Sequence, residues 1–409
     1  MDEISLAADR LKGVVIQTPL QKNINLSERY NADIWLKRED LQQVRSYKIR
    51  GAFNKILSLS NEERERGVVC ASAGNHAQGV AFACAKLGIK GTIFMPVPTP
   101  NQKVKQVNMF GKNNADIILI GDTYDDAYNE AITFCKNRQA VFIHPFDDEQ
   151  VIAGQGTVAL DIFGQIPNPD FIFIPIGGGG LASGICSVAK IKNPSTGLIG
   201  VEPAGAASMS ASIEKNTVVT LNNIDKFVDG AAVRRVGDIT FPICRDYLDD
   251  VLLVPEGKVC SDILRLYNED AIVAEPAGAL SIAALDQYAG KISGKQVVCV
   301  VSGSNNDITR MEEIKERSLL YEGLKHYFII RFPQRAGALR EFLERVLGPG
   351  DDISHFEYSK KTSREHASAV IGIELVRKED FKALVKRMKK NNIVFEYLNR
   401  RPDLFQFLV

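Results

Sequence analysis

The sequence predicts an α/β protein that ends in a smaller α+β module. From about residue 67 to residue 301, short apolar runs alternate with helical segments, which favours right-handed parallel crossovers. The runs are apolar throughout rather than at every second residue, so both faces of their sheets are expected to be covered. From about residue 324 the order becomes strand, helix, strand, strand, helix, strand, which is typical of a ferredoxin-like split βαβ module.

Apolar runs mark the expected strands of the main region. They are Val68–Cys70, Thr92–Met95, Ala115–Ile120, Val141–Ile143, Phe171–Ile174, Leu198–Val201, Val251–Val254 and Val297–Val301. In open sheets of this kind, ligands bind at loops beyond the carboxyl ends of the strands. The loops that follow these runs are therefore the expected site.

The C-terminal module is expected to cover residues 324–409. Its strands are predicted near 327–332, 353–358, 368–375 and 394–398, and its helices near 336–347 and 378–391. The main domain would then span residues 1–323, with a smaller subdomain at roughly 45–150.

Charge and composition exclude several classes of partner. Lys+Arg and Asp+Glu both number 50 in 409 residues, so nothing favours nucleic acid or an anionic membrane. The chain contains no run of eighteen apolar residues and begins with polar and acidic residues, so we expect a cytoplasmic protein. Its seven cysteines form no CxxC motif and are expected to be buried thiols without disulfides.

A lysine window supplies the first chemical group. Lys48 lies among small and apolar residues in Ser46–Ala52, just after the charged run Lys37–Asp40. A lysine in a partly dry pocket is more often neutral at pH 7, and a neutral amine can hold an aldehyde as a Schiff base. The alternative is a lysine on a solvated helix face.

The loop Ser72–Gly79 joins a predicted strand to a predicted helix. Free N–H groups at a helix start favour a carboxylate, and Ser72 could add a hydroxyl donor. Asn75 offers an amide for a phenolic oxygen, unless it serves only as a helix cap.

Four consecutive glycines follow the fifth apolar run. They are Gly177, Gly178, Gly179 and Gly180, with Leu181 after them. Their backbone N–H groups could converge on a phosphate. The same stretch matches a loose dinucleotide pattern that ends at Ala182, with Glu202 after the next apolar run, so a nucleotide site is an alternative. A flexible turn without a ligand is another.

The last loop, Val301–Asp307, directly follows a buried run. Ser302 could place a neutral hydroxyl beside a ring nitrogen, which would leave a pyridine largely unprotonated. A serine in a plain turn or at a helix N-cap is the alternative.

Taken together and in this order, the four loops resemble those of the fold-type-II (tryptophan synthase β-like) pyridoxal-phosphate enzymes, and among them the threonine dehydratases. The resemblance implies two open α/β subdomains that bind pyridoxal 5′-phosphate. Lys48 is similar to the Schiff-base lysine, which is also the general base at the α-carbon. Asn75 is similar to the residue that holds the 3′-oxygen, and Ser302 to the partner of the pyridine nitrogen. Gly177–Leu181 resembles the phosphate loop. The substrate-carboxylate loop is matched by Ser72, Ala73, Gly74, Asn75 and His76.

Two further positions bear on the resemblance. Glu275 lies in a stretch that is also similar to the family, but no role follows for it. Serine racemases carry a cation site with two acidic side chains six residues apart, where this chain has Glu202 and Ser208. Hard divalent cations prefer several carboxylates, so no metal is expected, although a monovalent ion stays open.

The tail segment Arg331–Leu339 resembles the strand-to-helix turn of ACT-like regulatory domains in biosynthetic threonine dehydratases. This implies L-threonine as the substrate, with L-serine as a second one, and an isoleucine effector that valine opposes. It also implies a homo-oligomer, with a tetramer favoured. The alternatives are an unregulated serine/threonine dehydratase whose tail only builds the oligomer, a nucleotide-dependent oxidoreductase, and a non-catalytic amino-acid sensor.

Overall fold

A computed structural model describes residues 1–359 and 366–401 of the chain. Residues 360–365 and 402–409, which belong to the predicted C-terminal module, lie outside the described residues. The chain divides into two compact units, Met1–Asp307 and Ile308–Val409.

The first unit alternates helices and strands along most of its length. Its strands are β1 (Leu20–Lys22), β2 (Asp33–Arg38), β3 (Val68–Ala71), β4 (Gly91–Met95), β5 (Ala115–Leu119), β6 (Val141–Phe142), β7 (Phe171–Pro175), β8 (Gly197–Pro203), β9 (Asp250–Val254) and β10 (Gln296–Val301). Its helices are α1 (Asp2–Leu11), α2 (Ile24–Tyr30), α3 (Lys48–Leu57), α4 (Asn61–Arg66), α5 (Asn75–Leu87), α6 (Asn101–Gly111), α7 (Tyr124–Arg138), α8 (Glu149–Gln165), α9 (Gly180–Lys192), α10 (Ser208–Lys215), α11 (Thr240–Tyr247), α12 (Glu256–Asp270), α13 (Pro276–Ala283) and α14 (Leu285–Ile292).

These strands form two sheets. The larger has the order β1-β2-β10-β7-β8-β9, and the smaller has the order β5-β4-β3-β6. Only β1 pairs antiparallel to its neighbour within these two sheets, whose residues all lie in the fully described first unit. The eight strands predicted from apolar runs are confirmed. The sequence pattern does not predict β2, because its last residues, Lys37 and Arg38, are charged.

Helix α3, which begins at Lys48, packs closely against α8 through glycine. A β-carbon on Gly51 would lie 2.3 Å from the Gln155 side chain, and one on Gly154 would lie 2.5 Å from the Arg50 carbonyl oxygen. Only the missing side chains allow the two helices to approach this closely.

A buried cluster of charges ties α3 to the larger sheet. Arg50 donates from Nε and Nη2 to the two carboxylate oxygens of Glu39, both at 2.8 Å, and from Nη2 to Asp161 of α8 at 2.6 Å. Glu39 is fully buried and Arg50 is 2% exposed. Burial disfavours the charged form of Glu39, but the charge and hydrogen bonds of Arg50 outweigh it and lower the Glu39 pKa to about 2. Lys37 donates to Asp161 at 3.1 Å, so the end of β2 joins the same cluster.

The second unit contains the ferredoxin-like module. Its elements are α15 (Met311–Glu322), β11 (Lys325–Pro333), α16 (Ala338–Arg345), β12 (Asp352–Ser359), β13 (His366–Glu374), α17 (Asp380–Lys390) and β14 (Val394–Tyr397). The antiparallel sheet has the order β12-β13-β11-β14. Phe328 and Ile371 of this sheet are buried with Phe342 of α16 and Leu384 of α17. The predicted fold class is confirmed in both units.

Across residues 1–359 and 366–401, no helix is both long and apolar enough to cross a membrane. All seven cysteines are free thiols, and six of them are buried, whereas Cys135 is partly exposed.

We expect Glu39→Gln to destabilise the first unit by about 3–5 kcal/mol, because it leaves the buried Arg50 charge unbalanced. The urea midpoint measures this change. The folded pKa of Glu39 lies below the value of about 4.3 for an unfolded glutamate. Its contribution is therefore complete above pH ~4.3 and is lost as the pH falls toward 2.

Asp9→Asn is the control for this prediction. It removes an exposed ion pair with Lys12, so it should cost less than about 1 kcal/mol. Equal urea midpoints for the two variants would contradict the structural importance of the Glu39–Arg50 pair.

Candidate active site

One cavity of about 990 Å³ in the first unit brings the four predicted loops together. Among the residues that line it are Lys48, Ser72, Ala73, Gly74, Asn75, His76, Gly177, Gly178, Gly179, Gly180, Leu181, Ser302 and Glu275. Every site residue predicted from the sequence therefore faces the same space.

Lys48 is the first residue of α3 and lies in the cavity wall. Its Nζ donates a hydrogen bond to the carbonyl oxygen of Pro145 at 2.7 Å. Burial lowers the pKa of the Lys48 amine to about 8, and the negative charge of Glu275 only partly opposes this. A far larger fraction of this amine than of an exposed lysine is thus neutral near pH 7 and available as a nucleophile or base.

The turn that carries Ser302 is bonded to the chain just before Lys48. The backbone N–H of Tyr47 donates to the Ser302 carbonyl at 3.1 Å, and the N–H of Ser304 donates to the Arg45 carbonyl at 2.9 Å. Strands β2 and β10 are parallel, with Arg38 beside Val301, so both loops leave the same edge of the larger sheet. Ser302 is 2% exposed.

Asn75 does not act as a helix cap. It is the first residue of α5, and Gly74 holds the N-cap position without a side-chain hydrogen bond. The Asn75 amide instead donates from Nδ2 to Glu275 Oε1 at 2.6 Å and accepts from Asn305 Nδ2 at 2.7 Å. Its amide is thus held at the cavity by side chains from two distant loops.

His76, the next residue, is buried with its Nε2 2.8 Å from the Ile143 carbonyl oxygen. A carbonyl oxygen only accepts, so Nε2 carries the proton. Burial, together with the charge of Lys48, lowers the His76 pKa to about 3. The ring is therefore neutral at pH 7 and supports the loop without adding charge.

The glycine loop forms a cradle that packs closely against Phe146, so Gly178 and Gly180 have no space for side chains of their own. A β-carbon on Gly178 would lie 2.3 Å from the Phe146 ring, and one on Gly180 would lie 2.9 Å from Phe146 Cβ. Gly179 has a φ of +92°, a conformation that side chains disfavour. Because α9 begins at Gly180, its free N–H groups open at this cradle, which suits a phosphate.

Two residues that the sequence argument missed hold this loop in place. Thr240 Oγ1 donates to the Gly178 carbonyl at 2.7 Å. Asp147 accepts the backbone N–H groups of Asp238 and Ile239, both at 2.9 Å, at the start of α11. A carboxylate at a helix N-terminus is stabilising, so Asp147 fixes the helix that carries Thr240.

Glu202 does not line the cavity. Its carboxylate accepts the N–H groups of Met209 at 2.7 Å and Ser210 at 2.8 Å in the first turn of α10. Burial raises the Glu202 pKa to about 7, and these hydrogen bonds only partly oppose the rise. The acidic residue that a dinucleotide site needs is thus committed to a helix end. Among the described residues, no group of three or more His, Cys, Asp or Glu side chains could hold a metal ion.

Comparisons with known proteins agree with this geometry. Residues 11–303 match the family model described as pyridoxal-phosphate dependent enzyme. Residues 316–408 match the model described as the C-terminal regulatory domain of threonine dehydratase. The chain belongs to the threonine dehydratase family of pyridoxal-phosphate-dependent enzymes.

Two biosynthetic threonine dehydratases resemble the chain over almost its full length, and a solved threonine deaminase resembles most of it. The biosynthetic L-threonine dehydratase IlvA of Bacillus subtilis is 59% identical, over 98% of this chain and 96% of its own. The same enzyme from Halalkalibacterium halodurans is 56% identical, over 100% and 99%. The solved structure of processed threonine deaminase isoform 2 from Solanum lycopersicum has a TM-score of 0.74 and 39% identity, over 78% of this chain and 87% of that one.

The residues of this threonine dehydratase family member fit pyridoxal phosphate. The glycine loop, where a side chain on Gly178 or Gly180 would collide with Phe146, leaves the N–H groups at the start of α9 as donors for the phosphate. Lys48 supplies an amine with a lowered pKa for the aldehyde. Ser302 and Asn75 offer neutral polar groups for the ring.

The structure also adds cavity residues to those predicted. His144–Asp147 follows β6, and residues 222–237 run between α10 and α11. Lys103 pairs with Asp229 of the latter segment, and Arg234 pairs with Asp125 at 3.1 Å. Because His144–Asp147 follows a predicted strand, its position in the sequence could have indicated a cavity loop. Residues 222–237 follow no strand, so no sequence pattern indicated them.

We expect the Lys48 amine of the cofactor-free protein to titrate near pH 8. Because burial lowers its pKa, the reactive neutral amine predominates above about pH 8 and disappears below it. Trace acetylation over a pH series, read peptide by peptide by mass spectrometry, gives the midpoint. The peptide that carries the exposed Lys86 is the internal reference. A Lys48 midpoint above about 10, the range of free lysine, would contradict the assigned environment.

Proposed function

We propose that this protein catalyses the dehydration and deamination of L-threonine to 2-oxobutanoate and ammonia, and that it also accepts L-serine. The observation that carries the proposal is the meeting of Lys48, the glycine cradle and Ser302 in one cavity. The names of the relatives support threonine as the substrate. The reaction is the first committed step of isoleucine biosynthesis, and we place it in the cytoplasm.

Lys48 is the residue that we assign to covalent attachment of the cofactor and to removal of the substrate α-proton. A general base works best when its pKa lies near the operating pH, and the pKa of about 8 meets that need. The Pro145 carbonyl, 2.7 Å from Nζ, holds the amine toward the cavity.

The other loops bind and orient. We assign Gly177–Leu181 to the phosphate, Asn75 to the phenolic oxygen and Ser302 to the pyridine nitrogen. Pyridoxal phosphate, when bound, supplies an electron sink for the charge that develops at the substrate α-carbon. Because Ser302 is neutral, it would leave the ring nitrogen largely unprotonated, and the bound cofactor would then be a weaker electron sink than one with a carboxylate partner.

Substrate binding is assigned to the start of α5. The free N–H groups of a helix N-terminus favour a carboxylate, and the loop Ser72–Asn75 lies there in the cavity. His76 supports this loop as a neutral group through its bond to Ile143. Ala73 carries no transferable proton, so this position supplies no second acid or base.

We expect the cofactor-loaded protein to form 2-oxobutanoate from L-threonine, and Lys48→Ala to lower the rate by at least about 10²–10⁴-fold, because the general base is lost. A spectrophotometric assay of 2-oxobutanoate measures this. Lys86→Ala, which changes an exposed lysine of α5, should leave the rate unchanged. No product from the wild type, or full turnover by Lys48→Ala, would refute the proposal.

The second unit is proposed to regulate this reaction through L-isoleucine, with L-valine opposing it, in a homotetramer. The match to a threonine dehydratase regulatory domain supports regulation. The turn between β11 and α16 is the proposed effector region, where Gly337 has a φ of +83° and Arg335 pairs with Glu341 at 2.6 Å.

We expect the threonine assay to slow as L-isoleucine is titrated in, and L-valine to restore the rate. L-Alanine at the same concentrations is the control for a nonspecific amino-acid effect. Sedimentation measures the oligomer in the same buffers. A rate that does not respond to isoleucine would overturn the effector assignment and leave the dehydratase assignment intact.

A further inference from the structure

Glu275 is a buried carboxyl group to which the proposed function assigns no role. It holds the N-cap position of α13 without capping the helix through its side chain, and it is 5% exposed. Its backbone N–H donates to the Gly303 carbonyl at 3.1 Å. Glu275 is thus fixed to the same turn that carries Ser302.

A chain of hydrogen bonds determines which way the Asn75 amide faces. Asn305 Nδ2 donates to the Val44 carbonyl at 2.9 Å and to Asn75 Oδ1 at 2.7 Å. The Val44 carbonyl can only accept, so the Asn305 amide cannot be turned around without losing that bond. Asn75 therefore presents its oxygen to Asn305 and its nitrogen to Glu275 Oε1, at 2.6 Å.

We propose that Glu275 is a positioning residue, which holds the Asn75 amide so that one of its N–H groups stays free for the phenolic oxygen of pyridoxal phosphate. An asparagine amide has two N–H donors, and Glu275 accepts one of them. The other is left for the cavity that Asn75 lines. The inference deepens the proposed function, because it rests on Asn75 as a cofactor-binding residue.

Close packing keeps the Glu275 carboxyl in place. A β-carbon on Gly303 would lie 2.5 Å from Glu275 Oε1, and one on Gly230 would lie 3.5 Å from it. The carboxyl therefore occupies space that is open only because Gly303 and Gly230 lack side chains. The side chain acts as a fixed acceptor for Asn75.

A carboxyl group suits this position better than an amide. Burial and the charge of Asp229 raise the Glu275 pKa to about 7, against opposing effects of Asn75, Lys103 and the Asn305 backbone N–H. Both the neutral and the ionised carboxyl can accept from Asn75 Nδ2. Both Asn75 and the Asn305 backbone N–H donate to the Glu275 carboxyl, which has two oxygen atoms. A glutamine at this position would have only one side-chain oxygen to accept both bonds.

A double-mutant cycle tests whether Glu275 acts through Asn75. Pyridoxal phosphate is titrated into the cofactor-free forms of wild type, Asn75→Ala, Glu275→Ala and the double variant, and the affinity and the spectrum of the bound cofactor are read by absorbance. We expect Glu275→Ala to weaken binding about tenfold, which is within the coupling range of residues in contact. It should also shift the cofactor band toward that of Asn75→Ala. In the Asn75→Ala background the same change should cost less than about twofold.

Glu275→Gln keeps the shape of the side chain and replaces Glu275→Ala in the titration if that variant does not fold. Its affinity and its cofactor band should lie between those of wild type and Asn75→Ala. Asp262→Asn is the matched control, because Asp262 is also buried, pairs with Lys258 at 3.0 Å and does not line the cavity. It should lower the melting temperature and leave affinity and spectrum unchanged.

Equal losses of affinity from Glu275→Ala in both backgrounds, or an unchanged cofactor band, would overturn the proposal. An Asp262→Asn variant with the same spectral shift would overturn it too, since the shift would then report general loosening. Threonine turnover by the wild type is measured in parallel. A wild type that binds the cofactor but does not use threonine would contradict the proposed function alone.

Discussion

The ion pair between Arg50 and Glu39 is the constraint on which the position of Lys48 depends. Arg50 lies two residues after Lys48 on α3, and its guanidinium meets both oxygens of a carboxylate that is fully buried. A bidentate pair has only one good geometry, and breaking it strands a charge in a dry interior. Because Arg50 also reaches Asp161 on α8, the lysine helix is fixed at once to the larger sheet and to its neighbouring helix.

Burial lowers the pKa of two lysines of this unit, Lys37 and Lys48, but their hydrogen-bond partners differ. Lys37 is fully buried but lies 3.1 Å from Asp161 and 3.5 Å from Glu39, so its cluster contains carboxylates that balance an ammonium. The Nζ of Lys48 donates to a neutral acceptor, the Pro145 carbonyl, and lies 5.5 Å from the centre of the Tyr47 ring, while the charge of Glu275 acts on it without a direct hydrogen bond in the described structure. A neutral carbonyl partner suits a lysine that supplies a neutral amine. Carboxylate partners suit a lysine that supports the fold.

The direction of the strands explains how distant segments share one cavity. The loops that follow β3, β6, β7 and β10 all leave the carboxyl ends of parallel strands, and the lysine loop leaves β2 beside β10. Hydrogen bonds across these loops then set individual side chains. The amide of Asn75, for example, is oriented by Glu275 and Asn305, which lie 200 and 230 residues further along the chain.

The sequence by itself determined strands β3 to β14, the order of the two modules and the four loops that line the cavity. Unbroken apolar runs, four adjacent glycines and a lysine among small residues are local patterns, and local patterns can be read from the residues alone. Only the tertiary structure decided how those loops are held. The burial of Lys37 and Glu39, the turn of Glu202 toward α10, and the contacts of Thr240, Asp147 and Glu275 join residues that are far apart in sequence. The charge and hydrogen bonding of a polar residue do not reveal its partner, because that partner is brought near only when the two sheets and their helices pack.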